Sequence, residues 1–121
     1  MKTKNQVAIM SKQFAIRIVR MYQILIYRRP EKDLLRQVLR SGTSIGANVK
    51  EALRGQSKAD FGAKMNIALK EASETEYWIE LFYETGIISE PEFNSLITDC
   101  RTLIKILTAI VKSTFKSIHD S

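Results

Sequence analysis

The stretch SGTSIGANVKEA, residues 41–52, is where this chain comes nearest to a ligand-binding motif. Six of its first seven residues are small, and a glycine-rich run that exposes backbone N–H groups is a common cradle for phosphate. A phosphate loop reads G-x-x-x-x-G-K-[ST] and follows a strand. Here Gly46 is followed by Ala47 and Asn48, Lys50 falls at the wrong distance, and no strand-like segment precedes Gly42. The run does not carry phosphate-loop chemistry.

The carboxylates come next. Glu71, Glu74, Glu76, Glu80 and Glu84 crowd one segment, and in a helical bundle such a row raises the question of a di-metal centre. That centre needs Glu-x-x-His on two helices. The chain has one histidine, His119, two residues from its end. Cys100 sits in an apolar row with no histidine partner, which reads as a small core residue rather than a nucleophile. No cofactor, no metal and no catalytic pair is expected, so the protein reads as a non-enzyme.

Charge is the clearest functional signal. Residues 1–30 hold seven basic side chains and no acidic one, whereas residues 55–86 hold three basic and six acidic. The net charge of +6 therefore arises in the first half. Lys4, Lys12, Arg17, Arg20, Arg28 and Arg29, with Arg36 and Arg40 beyond them, are the candidate phosphate contacts. Contacts of that type give salt-sensitive and largely sequence-independent binding to RNA or DNA. The competing reading is a solvated face balanced by the acidic segment. No recognition-helix or aromatic RNA-binding signature accompanies the charge.

The elements that must position these residues are helices. With 121 residues, 45% apolar and 26% charged, the chain fits one soluble domain, residues 1–121. A lone cysteine, and an N-terminus without an apolar stretch of signal-peptide length, suggest a cytoplasmic protein with no membrane segment. Apolar rows at 3.6-residue spacing predict helices over about 5–28, 31–54, 58–85 and 90–118. Phe14, Ile18, Met21 and Leu25 form one row of the first; Ile9, Ile16, Val19 and Ile26 form another. Pro30 suits the first turn of the second helix, and Gly55 suits a left-handed stop at its end. Ser57 with Asp60 and Ser89 with Glu92 occupy capping-box positions. Gly86 closes the third helix. The fold class is all-α, an antiparallel up-down-up-down four-helix bundle. The fourth helix is apolar on two rows, wider than a bundle seam requires, which predicts a second contact there and hence oligomerisation.

The second helix keeps its apolar register straight through residues 41–52, so the small residues are helical. If helices two and three fold back near residue 56, positions whose numbers sum to about 112 face each other. Gly42 and Gly46 would then meet Ala68 and Ala72 in a close-packing patch. Ser41 and Asn48 lie on a core-facing row with Ser44 and Glu51 alongside, so Asn48 is expected to make a polar contact across the bundle; a polar ligand pocket is the alternative. Tyr77, Trp78, Phe82 and Tyr83 divide between core and surface.

Residues 41–88, SGTSIGANVKEALRGQSKADFGAKMNIALKEASETEYWIELFYETGII, resemble the 23S rRNA intervening-sequence protein family. The markers are Ser44, Ile45, Asn48 and Glu51, then Ser57–Phe61, then Ala68–Glu71 with Glu74, Tyr77 and Trp78. The similarity spans residues 10–115. Ala52 stands where many members carry glycine. The resemblance implies a left-handed bundle assembled in a ring, often a homopentamer. Some members are encoded within rRNA intervening sequences. A related branch, the accessory variability determinants of diversity-generating retroelements, uses a basic pentamer to engage a reverse transcriptase and nucleic acid. Two functions follow as expectations. One is an oligomer that binds RNA or a ribonucleoprotein through its basic first helix; the other is a scaffold that docks a partner enzyme.

Overall fold

The structure, a computed structural model, describes residues 2–120. Four helices account for nearly all of them: α1 (Lys2–Arg28), α2 (Lys32–Leu53), α3 (Lys58–Glu84) and α4 (Glu90–Asp120). No strand occurs among the described residues. Each helix packs on its neighbours in the chain, and α4 returns to lie lightly against α1, so the bundle closes up-down-up-down. The apolar rows meet in one core that includes Phe14, Ile18, Leu35, Ile45, Met65, Ile79, Phe82, Leu103 and Leu107.

The connections follow from local chemistry. Ser57 Oγ accepts from Asp60 N–H at 3.0 Å and opens α3. Ser89 and Glu92 make the full reciprocal box: Ser89 N–H donates to Glu92 Oε1 at 3.0 Å, and Glu92 N–H donates to Ser89 Oγ at 3.4 Å. The Ser89 N–H, and the Ser89 hydroxyl donating to the same oxygen at 2.8 Å, hold the Glu92 carboxyl below its ordinary value. Gly86 closes α3 in the left-handed region at φ 79°. Its N–H reaches the Tyr83 carbonyl and that of Ile87 reaches Phe82, the paired bonds of a Schellman stop.

Two turn expectations are corrected. Pro30 lies in the α1–α2 connection, outside the first turn of α2, and Glu31 precedes the helix. The Glu31 carboxylate makes no capping bond; it accepts from Arg29 Nε at 3.1 Å and Nη2 at 2.9 Å, which lowers its pKa. Gly55 has no positive φ. The last turn of α2 tightens instead, with Arg54 and Gly55 N–H groups bonded three residues back to Glu51 and Ala52, so no left-handed residue is needed.

The wide stripe of α4 is also accounted for inside the chain. Both of its rows supply buried residues, Leu96, Leu103 and Ile110 on one and Ile97, Cys100 and Leu107 on the other. A helix wedged between α3 and α1 needs apolar side chains toward both. Most of the exposed large apolar side chains lie on α1, Ile9, Ile16, Ile24 and Tyr27, with Leu53 of α2 and Ile67 and Tyr77 of α3 exposed besides.

Candidate nucleic-acid interface

The eight basic residues marked by the sequence do not form one patch. Four are held by carboxylates. Arg17 bridges to α4, donating to Asp99 Oδ2 at 2.5 Å and to Ser95 Oγ at 2.7 Å. Arg29 holds Glu31, and Arg36 lies 3.1 Å from Asp33. Arg40 reaches across to α3, 3.0 Å from Glu71 and in contact with Glu74. Glu74 also accepts from Trp78 Nε1 at 2.9 Å, and the Trp78 and Arg40 hydrogen bonds hold its carboxyl below the ordinary range. Lys4 sits 4.5 Å from the centroid of the Phe61 ring, a cation–π contact.

Lys12, Arg20 and Arg28 are different: all three are exposed, and none has a hydrogen-bond or ion-pair partner among the described residues. The acidic segment does not balance them. α1 and α3 sit diagonally in the bundle and their backbones do not approach closely, though Lys4 reaches Phe61 at one end. The α3 carboxylates turn to its neighbours, Glu71 and Glu74 to Arg40 of α2, Glu76 and Glu80 to Arg101 of α4 at 3.0 and 3.8 Å. α1 contains no carboxylate of its own.

The small residues of α2 face α1, and this corrects the expected match with Ala68 and Ala72. A Cβ on Gly42 would lie 2.9 Å from two side-chain atoms of Ile18, and one on Gly46 would lie 3.4 Å from Ser11. Ala68 and Ala72 are fully buried in α3, and the Cys100 thiol of α4 donates to the Ala72 carbonyl at 3.4 Å. Asn48 makes no hydrogen bond across the bundle among the described residues: it is half-buried, and its Nδ2 donates to the Ser44 carbonyl of its own helix at 2.8 Å. Ser44 bonds back to Arg40 O at 2.6 Å, and Glu51 is exposed, 3.9 Å from Lys64. The polar contact across the bundle is made by Ser41 and Thr75, both fully buried, with Thr75 Oγ1 2.8 Å from Ser41 Oγ.

Between α1 and α2, from Thr43 to Arg54 along the second, lies a groove of about 580 Å³. Ala8, Ala15, Gly46 and Ala47 line it, and Lys12, Lys50 and Arg54 stand on it; no carboxylate does. Lys50 and Arg54 were not among the sequence candidates. The signal that could have found them is their one-turn spacing on α2, continuing the row of Thr43 and Ala47.

Cys100 contributes no nucleophile to any site. Burial, and then the nearby Glu76, push its thiol up to about 12. At pH 8 alkylation by iodoacetamide is expected to be roughly 1,000-fold slower in the folded protein than in urea, from the lost thiolate fraction alone. The pKa is raised on folding, so the thiol's contribution to stability is complete below pH 9 and is lost as pH rises from there toward 12. Replacing Cys100 by alanine should remove that alkaline loss.

Fold and surface together define an antiparallel four-helix-bundle protein with unpaired cations spread along the free side of α1 and the end of α2, and others, Lys70, Lys105, Lys112 and Lys116, on α3 and α4. The 23S rRNA-intervening sequence protein family matches over residues 3–109, and the chain belongs to that family. A crystal structure of a protein with unknown function from the S23 ribosomal protein family, from Bacteroides thetaiotaomicron VPI-5482, is 47% identical and superimposes with a TM-score of 0.88. The similarity covers 91% of this chain and 98% of that one. The comparison with curated proteins finds no match.

Proposed function

We propose that this protein is a non-catalytic, oligomeric bundle that binds nucleic acid, RNA or a ribonucleoprotein, through the basic surface of α1. The observation that carries the reading is the set of exposed, unpaired cations Lys12, Arg20 and Arg28 on a helix without carboxylates. Membership of a family named for rRNA intervening sequences supports the choice of ligand. Self-association is supported by the exposed Ile9, Ile16, Ile24 and Tyr27 of α1. A homopentamer would carry a formal charge of about +30, a strong field for phosphate. No helix is long and apolar enough to cross a membrane among the described residues.

The test is anisotropy titration of an RNA hairpin and a DNA duplex over a salt series. Replacing Lys12, Arg20 and Arg28 together by glutamate should weaken RNA binding at least about tenfold at 100 mM salt. It should also flatten the log–log salt slope by about two to three. Light scattering should give the mass of the unaltered protein. Equal affinity and equal slope would remove the nucleic-acid reading.

The second reading is a scaffold that docks a partner enzyme, and the same exposed apolar residues of α1 favour it. Binding that disappears by about 150 mM salt and does not distinguish RNA from other polyanions would select it.

A further inference from the structure

We propose that the groove between α1 and α2 is a docking site for an acidic amphipathic helix of a partner protein, a site that shares Lys12 with the face of α1 assigned to nucleic acid but not Arg20 or Arg28. The groove has an apolar floor and a cationic rim. Ala8 and Ala15 of α1 line it together with Gly46 and Ala47 of α2, so over this part little side chain stands between an entering helix and the two backbones, and Val49 and Leu53 extend the apolar floor. Packed helix axes approach to about 8–10 Å, and small residues set the near end of that range. Lys50 and Arg54 are one turn apart on one rim, and Lys12 stands on the other. None of the three has a hydrogen-bond or ion-pair partner for its side chain among the described residues. Carboxylates one turn apart on a docked helix match the spacing of Lys50 and Arg54, while its apolar stripe covers the floor.

The groove also runs on. A second depression, of about 550 Å³, shares Leu53 with the first and carries Lys4 and Lys58 toward the α2–α3 turn. From Ala15 to Lys4 the trough follows α1 for about three turns, enough for a short amphipathic helix.

The lining argues against other occupants. No aromatic ring lines the first groove, so unpaired bases have nothing to stack on, and phosphates would leave its apolar floor uncovered. A second copy of this chain offers a poorer acidic row, because Glu71, Glu74, Glu76 and Glu80 already face arginines and only Glu84 of that row is left without an ion pair among the described residues. Charge complementarity therefore selects a foreign acidic helix.

The test uses the full chain and an 18-residue fluorescent peptide helix with a Leu/Ala stripe flanked by glutamates at i, i+4. The same peptide with glutamine for glutamate, and a 12-nucleotide oligouridine, serve as controls. The glutamate peptide should bind at least tenfold more tightly than the glutamine peptide. Lys50→Gln with Arg54→Gln should abolish that preference. Ala47 is exposed, so Ala47→Leu should fill the floor while the far-ultraviolet spectrum and melting temperature stay unchanged. It should weaken the glutamate peptide at least tenfold and leave oligouridine binding as it was. Equal binding of the two peptides, or no effect of Ala47→Leu, overturns the proposal. Equal loss of oligouridine gives the groove to nucleic acid, and a changed mass in light scattering makes it a self-contact; each of those results also overturns it.

Discussion

Gly42→Leu is expected to abolish the cooperative thermal transition, whereas Gly46→Ala is expected to raise the melting temperature by a few degrees. The two glycines are one turn apart on the same face of α2, yet their surroundings differ in the quantity that matters. A Cβ at Gly42 would meet Ile18 Cγ1 and Cγ2 at 2.9 Å and Cβ at 3.3 Å. Ile18 is fully buried and β-branched, so it has little freedom to move aside. Alanine at 42 gains about 1 kcal/mol of helix propensity against an overpacking cost of about 1–3 kcal/mol. Gly42→Ala should therefore be close to neutral or destabilising by up to about 2 kcal/mol. Leucine adds three more carbons to space already filled, and α1 must then leave α2. At Gly46 the nearest atoms stand at 3.4 Å, an ordinary contact, so alanine keeps its propensity gain. Calorimetry of the three variants checks this. A Gly42→Leu protein that melts cooperatively within a few degrees of the unaltered protein would show that α1 and α2 are not in close contact at this point.

The same pair of residues shows what the sequence could not express. Unbroken apolar register through residues 41–52 identified a helix, and the serine caps at 57 and 89 and the glycine stop at 86 marked the turns. Antiparallel folding fixes roughly which residues share a level of the bundle, but it does not fix rotation about the helix axis. α2 lies between α1 and α3, and its small residues turned to α1. Even along the axis the register is displaced: Ser41 meets Thr75, one turn beyond residue 71. Asn48 took the alternative open to any amide in a helix, a bond to the carbonyl one turn back, and so left the cross-bundle contact to two hydroxyls.

The candidate site was less legible than the fold, for a related reason. Counting charge by segment finds the excess on α1, but successive helical residues point 100° apart. Lys12, Arg20 and Arg28 consequently spread around the free side of α1, and Arg17 turns to Asp99. What gathers charge in space is the neighbouring helix. Lys50 and Arg54 join Lys12 only because the small residues of α2 open a groove beside it. Ion pairs within the chain then decide which cations stay available, and those depend on neighbours that a linear count does not contain. The acidic row of α3 looked like a counterweight to α1, yet the diagonal placement of the two helices assigns it to Arg40 and Arg101.

Phe14→Ala should cost about 3–5 kcal/mol, and the loss should fall first on α1. Phe14 is among the largest fully buried side chains, placed between Val7 and Ile18 on the only face that α1 turns inward. α1 packs mainly on α2 and only lightly on α4, while α2 and α3 each have two well-packed neighbours. Its attachment thus depends on one row of side chains, and Phe14 is the bulkiest member of that row. The loss is comparable to the whole stability of a small domain, about 5–15 kcal/mol, so a population with α1 undocked should become measurable before global unfolding. Hydrogen exchange read by mass spectrometry at low denaturant tests this. Amides over residues 7–25 should lose protection at least about 100-fold, while those of α3 around Met65–Ile79 should lose far less. Equal loss in both regions would mean that α1 opens only with the rest of the bundle. Because α1 carries Lys12, Arg20 and Arg28 and forms one wall of the groove, its undocking should weaken RNA and the acidic peptide together. An Arg20, Arg28 double variant removes charge outside the groove while leaving the wall and Lys12 in place, so it should impair RNA far more than the peptide.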